Sequence, residues 1–417
     1  MRKNKKTEKN ILLKRILLSL SILIFIRMGT FLPIPGVSPG EIQYFLGRNA
    51  IARTFVNAFS GNNTFVIGVF ALNIFPYINA SILMQVLISI VPALSKLQKE
   101  GTSEGKRTIN RLTRLITFGW AFIQSITISF YLTRVVLDWN FLLAIEIVIW
   151  LTTGSLIILW LSELITEYGL GNGPSLLIYI NIISSLPNIS KKIILENNEK
   201  LNFGSWLIIL LLFFVAISGI ILLQESVRMI PLISSKELTN SRSILQKINY
   251  IPLRFNQAGV MPIILTTGVL VIPNYINSLG FLPIISLPFV IQTSKILYWI
   301  SYFVLILIFS LFYSSIVLNP KDISEQLQKM AVAIPGIRPG IVTTFYLKEI
   351  MKRVTILGAI LLALLATLPN IVEGILGISS FNGLGTTSLL ILVGVILDLL
   401  REIRSFNNSN KYTRMFD

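Results

Sequence analysis

Apolar runs of roughly 20 residues, separated by short polar stretches, organise this chain from end to end. A helix needs about that length to cross a bilayer core. Ten such segments are expected, at about 16–34, 64–94, 115–133, 141–162, 174–187, 205–224, 258–277, 297–318, 354–376 and 386–400. The runs are continuous rather than alternating, which excludes a closed β-barrel. The second segment is expected to break at Pro76, because proline disrupts helix continuity. Before it, the turn Phe59–Asn63 and the apolar piece Thr64–Asn73 allow two readings. They form a half-helix folded back to plug a pore, or the first turns of one kinked helix. The fifth segment is too short to span alone if it begins at Pro174. The Gly169–Gly173 stretch before it is therefore expected partly at membrane depth, shielded by protein.

Composition supports the membrane assignment. The chain of 417 residues is 53% hydrophobic and only 13% charged, with a mean hydropathy of +0.74. A soluble domain is about a quarter charged. There is no histidine and no cysteine. That removes disulfides, thiolate metal sites, cysteine nucleophiles and histidine bases. No catalytic residue, metal site or cofactor is expected, and the chain reads as a non-enzyme. The basic stretch Met1–Arg15 is not a signal peptide by pattern, since the apolar run after it is long and lacks a small-residue cleavage site.

Charge then sets orientation. Of the 36 basic residues, 28 fall on one side of a ten-span arrangement. They lie in the two termini and in the loops after segments 2, 6 and 8. Seven lie on the other side, and Arg27 lies inside segment 1. The positive-inside rule puts both termini in the cytoplasm or its topological equivalent.

Two passages echo each other. Gly169-Leu170-Gly171, a polar turn and Ser175-Leu176-Leu177-Ile178 return as Gly383-Leu384-Gly385, a turn and Ser388-Leu389-Leu390-Ile391. Upstream, Pro76-Tyr77-Ile78 returns as Pro262-Ile263-Ile264. The echoes fall on segments 2 and 5, then 7 and 10. Five spans per half is an odd number, so the second half is inverted. The expected organisation is a basic tail 1–15, a first five-helix half 16–187, an external loop 188–204, a second half 205–400 and a tail 401–417. The fold class is all-α, ten transmembrane helices in two inverted halves around a central pore.

Charge at membrane depth is sparse. Arg27, Glu146, Glu163, Glu167 and Asp398 read mostly as interfacial or packing charges, and only Glu146 has no comfortable place. They form no chain of protonatable groups, which disfavours a coupled transporter. That transporter remains the first rival reading, and Glu146 would matter to it. An intramembrane protease would need an Asp pair or a Ser–base pair at depth, and Asp398 has no such partner. The echoed positions are apolar instead. Ile74 and Ile78 share a face by i,i+4 spacing, as do Ile178 and Ile182. With Ile264 and Ile391 they can converge into an isoleucine ring, and a hydrophobic constriction holds ions back without binding them. Ordinary core packing is the competing reading, and periodicity alone favours it.

Several motifs are specific enough to suggest a family. They are Arg27-Met28-Gly29-Thr30-Phe31-Leu32-Pro33-Ile34-Pro35-Gly36, Ala71-Leu72-Asn73-Ile74-Phe75-Pro76-Tyr77-Ile78-Asn79-Ala80-Ser81-Ile82, Ile165-Thr166-Glu167-Tyr168-Gly169-Leu170-Gly171-Asn172-Gly173, Pro252-Leu253-Arg254-Phe255-Asn256-Gln257-Ala258-Gly259-Val260-Met261-Pro262, Asn319-Pro320 and Pro335-Gly336-Ile337-Arg338-Pro339-Gly340. Over essentially its whole length the chain resembles SecY, the channel subunit of the Sec protein translocase. The resemblance implies a channel that passes unfolded polypeptides across the membrane and releases signal segments sideways into lipid. It puts the six isoleucines on the family's pore ring. It puts residues about 60–73, including Asn63, Thr64, Phe65, Val66, Ile67 and Gly68, on its plug. A lateral gate would run between segments 2–3 and 7–8, with Asn79, Gln124 and Asn256 as polar groups near it. Loops 226–257 and 319–352 would dock the SecA motor and the ribosome. Arg338 is the best candidate there, and Arg242, Lys247 and Arg254 are others. Implied partners are a SecE-like small membrane subunit, a SecG-like subunit, SecA, the ribosome, secretory preproteins and membrane lipids. The short tail and the Ile-, Asn- and Lys-rich composition resemble plastid-encoded algal versions. That implies a thylakoid membrane, with a bacterial plasma membrane as the alternative.

Overall fold

A computed structural model describes residues 2–36, 68–100, 103–133, 139–197, 203–234, 249–257, 259, 261–263, 265–266, 295–317, 319–376 and 386–416. Eleven helices and three short strands are placed among them. In chain order they are α1 (Arg2–Gly29), α2 (Phe75–Ile90), α3 (Pro92–Glu100), α4 (Ser103–Leu132), α5 (Phe141–Tyr168), α6 (Gly173–Asn197) and α7 (Phe203–Glu225). Then come β1 (Val227–Ser234), β2 (Asn249–Arg254), α8 (Lys295–Val317), α9 (Pro320–Lys329), β3 (Val332–Ala333), α10 (Ile341–Leu376) and α11 (Thr386–Phe416). By length and composition, Phe141–Tyr168 and Ile341–Leu368 can each cross a bilayer, and a third span arises if the bent pair α2 and α3 is one. Gly173–Ser184, Phe213–Glu225 and Trp299–Ser314 are shorter apolar helices. Of the seventh segment, only a few helical residues between Met261 and Thr266 are described.

The chain forms two compact units, Met1–Lys192 with Val395–Asp417, and Ile193–Gly394. In the first, α2 packs on α4, α4 on α5 and α1 on α5. A cluster of Ile34, Leu72, Ile128, Leu132, Ile147 and Leu151 closes one end of this bundle. In the second, α10 is the central element and packs against α7, α8, α9 and β2.

Four features differ from the sequence reading. Pro76 starts a helix and does not break one. It sits in the first turn of α2, where its missing N–H has no intrahelical partner to lose. The sharp bend, 103°, comes instead between α2 and α3 at Pro92. The fifth segment continues as helix past Pro187 to Asn197. Both basic tails are helical extensions of α1 and α11, and the Arg15 guanidinium lies 5.7 Å from the Phe406 ring centre. Finally, an all-α chain would have no sheet, yet β2, β1 and β3 form one, antiparallel throughout. Both strands of its hairpin contain proline, which argues against a strand in sequence. Pro231 is tolerated because β3 pairs only with Ile233 and Ser234 of β1, leaving that side free at residue 231.

Candidate functional site

The isoleucine positions divide between the two units. Ile74 and Ile78 are buried at the start of α2, one turn apart, with the Ile78 N–H donating to the Ile74 carbonyl at 3.1 Å. Ile178 and Ile182 are half-buried one turn apart on α6, and Ile391 is half-buried on α11. Ile264 lies outside the described residues. So do Asn63, Thr64, Phe65, Val66 and Ile67 of the expected plug. Of that list Gly68 alone is described, and from it a run of turns leads to Asn73.

This run is held tightly. Gly68 bridges to Pro33, and the Val69 N–H donates to the Leu32 carbonyl at 3.0 Å. A Cβ on Gly68 would stand 2.4 Å from the Thr30 carbonyl oxygen, and one on Gly154 of α5 would stand 2.1 Å from that of Val69. Leu72 is fully buried in the cluster described above. Asn73 then adopts φ +50°, with its Oδ1 accepting from the Ile74 N–H at 2.9 Å. Asparagine is among the few non-glycine residues that enter this region readily.

The first Gly-Leu-Gly stretch forms the joint between α5 and α6. Gly171 has φ +84°, which a side chain would strain. The Gly173 N–H donates to Thr166 Oγ1 at 2.9 Å, satisfying one of the free donors at the start of α6. Gly171, Asn172, Ser175, Asp398 and Glu402 line a cavity of about 240 Å³ here. Asp398 is exposed and pairs with Arg401 at 3.3 Å, which is not the buried carboxyl that a protease would need. The matching stretch Gly383–Gly385 lies outside the described residues. Glu163 pairs with Arg114 at 2.8 Å, and Glu146 is exposed on α5.

Of the polar groups near the expected gate, Asn79 on α2 and Gln124 on α4 are half-buried, and these two helices pack together. Gln124 Oε1 is buried without a hydrogen-bond partner among the described residues. Asn256 is half-buried, but its neighbour Gln257 makes the organised contacts. Ser314 Oγ on α8 lies 3.0 Å from Gln257 Oε1 and 3.0 Å from Thr355 Oγ1 on α10. Beside them, Gly358 allows close backbone approach, since a Cβ there would stand 2.0 Å from the Phe255 carbonyl oxygen. The sequence reading missed this network, because its members lie 57 and 41 residues apart. No local spacing announces such a contact.

The two basic loops form one folded face. β1 and β2 come from loop 226–257, whereas α9, β3 and the first turns of α10 come from loop 319–352. They share a core of Ile230, Leu253, Leu327, Ile334, Leu347 and Met351. α9 is a well-marked short helix. Asn319 Oδ1 accepts from the Lys321 N–H at 3.2 Å, Pro320 opens the first turn and Lys329 lies in the last, each matching the helix-end preferences. Arg338 is exposed between Gly336 (φ +76°) and Gly340 (φ +114°). Its carbonyl accepts from Thr343 Oγ1 at 2.8 Å, and the Gly340 carbonyl accepts from Ser324 Oγ at 2.9 Å. These two bonds tie the Arg338 and Gly340 carbonyls to α10 and α9, while Arg338 stays exposed. Arg254 is exposed on β2. Arg242 and Lys247 lie outside the described residues.

Comparison with known proteins decides the family. The SecY family model matches residues 68–400. The chain belongs to the SecY family. The protein translocase subunit SecY of Trieres chinensis is 63% identical, covering 98% of this chain and 99% of its own. That of Guillardia theta is 44% identical, covering 98% of each. That of Synechococcus elongatus is 41% identical, covering 96% of this chain and 93% of its own. The fold is similar to solved channel structures. One is a SecY whose plug domain is described as stabilising the closed state of the translocation channel and maintaining a membrane seal. Its TM-score is 0.64 at 17% identity, with 95% of this chain and 93% of that one covered. Another is Sec61 in a canine ribosome–channel complex, with a TM-score of 0.60 at 16% identity and the same coverage. As a SecY, the chain is a channel subunit of a protein translocase.

Proposed function

We propose that this subunit forms the polypeptide path itself, from two inverted five-helix halves, residues 16–187 and 205–400. Ile74, Ile78, Ile178, Ile182, Ile264 and Ile391 ring the path, and residues about 60–73 close it. Apolar signal segments leave sideways past Asn79, Gln124 and Asn256, because lipid solvates them better than the pore does. A SecA motor or a ribosome docks on the face built from loops 226–257 and 319–352, and SecE-like and SecG-like subunits complete the assembly. The membrane is a plastid thylakoid, with both termini on the stromal side.

The observation that carries this reading is the basic face. Two loops roughly 90 residues apart in the chain fold into one unit with a shared core, and Arg338 projects from a turn whose Arg338 and Gly340 carbonyls are tied to α10 and α9. An exposed guanidinium on a backbone held in place suits an acidic or phosphate partner. Arg338→Glu is expected to block translocation with assembly intact, and normal translocation by that variant would remove Arg338 from the docking site. For the ring, a photo-crosslinker at Ile78 or Ile391 is expected to capture a stalled secretory chain. Absence of adducts with docking intact would sink it.

A further inference from the structure

The chain enters segment 7 through a short stretch that is fastened at two points. The Phe255 N–H donates to the Ser226 carbonyl at 3.1 Å, and the Phe255 carbonyl lies against Gly358 of α10. Gln257 then reaches α8, where its Oε1 accepts from the Ser314 hydroxyl at 3.0 Å. Ser314 Oγ lies 3.0 Å from Thr355 Oγ1 of α10, and Thr355 donates to the Met351 carbonyl at 2.7 Å. Ser314 and Thr355 are both buried. Gln257 is thus joined to α8 directly and to α10 through Thr355.

The place of this contact in the chain makes it more than packing. Segment 7 begins at the next residue, and Thr355 is the second residue of the uninterrupted apolar run of α10. Just beyond Gln257, Gly259 has φ +62°. A Cβ there would meet nothing within 4 Å, so the position needs glycine for its backbone and not for space. A fastened residue followed by such a joint is the arrangement of a hinge. The fastening is also weak by construction. Ser314 has one proton, and Gln257 Nε2 is buried without a partner among the described residues. Gln257 is therefore held by a single hydrogen bond, which shifts an equilibrium by only about fivefold. That is enough to set a resting position, and an entering apolar segment can outweigh it. We infer that Gln257 is a positioning residue, which with Ser314 and Thr355 anchors the base of segment 7 and so sets how apolar a signal segment must be to displace it. The inference rests on the sideways release proposed above, with segment 7 at the gate.

The test uses membrane vesicles carrying the full chain with its accompanying membrane subunits. It reads the export of a preprotein with a weakly apolar signal as a ratio to one with a strongly apolar signal, which cancels any change in docking. Ser314→Ala should raise that ratio by about fivefold. Gln257→Met combined with Ser314→Ala should raise it as much, while recovering part of the unfolding midpoint, because no polar Oε1 is then left without its donor. Ser314→Thr keeps the hydroxyl and should keep the original ratio. A merely structural role would make the ratio follow the midpoint, so that the double variant moves back towards the unaltered chain. That result, or a Ser314→Thr ratio equal to that of Ser314→Ala, would overturn the inference. A photo-crosslinker at residue 79 checks the release beneath it. Capture of the signal segment with an unchanged ratio overturns the anchor alone, whereas no capture overturns the sideways release and the anchor with it.

Discussion

Gly154→Ala is the sharpest structural test of how the turn Gly68–Asn73 is held. A Cβ at residue 154 would lie 2.1 Å from the Val69 carbonyl oxygen, about 1.3 Å short of the 3.4 Å at which ordinary contact begins. The clashing atom belongs to backbone, so no rotamer change relieves it. The turn Gly68–Asn73 cannot retreat freely, because Val69 donates to Leu32 and Leu72 is buried on the other side. Alanine stabilises a helix interior by about 1 kcal/mol over glycine, whereas overpacking costs about 1–3 kcal/mol. At a contact this short the upper part of that range applies, so a net loss of about 1–2 kcal/mol is expected. Gly119→Ala on α4 supplies the control, since nothing lies within 4 Å of its Cβ position. That variant should gain stability by the propensity term. The assay is unfolding in detergent, paired with ion leak through reconstituted channels. Gly154→Ala should unfold more easily and leak more, because the displaced turn leads into the proposed plug. An unchanged midpoint and a tight channel would refute the reasoning.

Two further outcomes follow from the polar and apolar positions. Ser314→Ala should cost about 1–2 kcal/mol by leaving Gln257 Oε1 without its donor, while Thr355 Oγ1 keeps the Met351 carbonyl. Gln257→Leu combined with it should cost less than the sum of the single changes in the same unfolding assay, and additivity would show that the contacts are independent. Ile78→Ser and Ile391→Ser should relax signal-sequence stringency by easing wetting of the pore. Unchanged export of preproteins with defective signals would count against the ring.

Length and periodicity made most helices legible. α5 and α10 follow directly from apolar runs that are long enough to cross a bilayer. α9 falls in a stretch read only as a loop, although Asn319-Pro320 at one end and Lys329 at the other mark its ends. Even the exposure of Arg338 was readable, because glycines flank its turn. The sheet was not readable. Prolines 231 and 252 lower the strand signal in both hairpin strands, and only the pairing pattern explains how they are accommodated. Pro76 was read as a break because a proline inside an apolar run disrupts a helix anywhere except its first turn. Which of these applies depends on whether the residues before it are helical, and Gly68–Asn73 are turns. The Gln257 contacts lie further still from local rules. Asn256 and Gln257 are chemically near-equivalent in sequence, and the close approach of Phe255 to Gly358 accompanies the one that meets Ser314. Helix identity is thus a local property here. The choice between adjacent amides belongs to packing between helices, and the glycine that permits it lies about a hundred residues away in the chain.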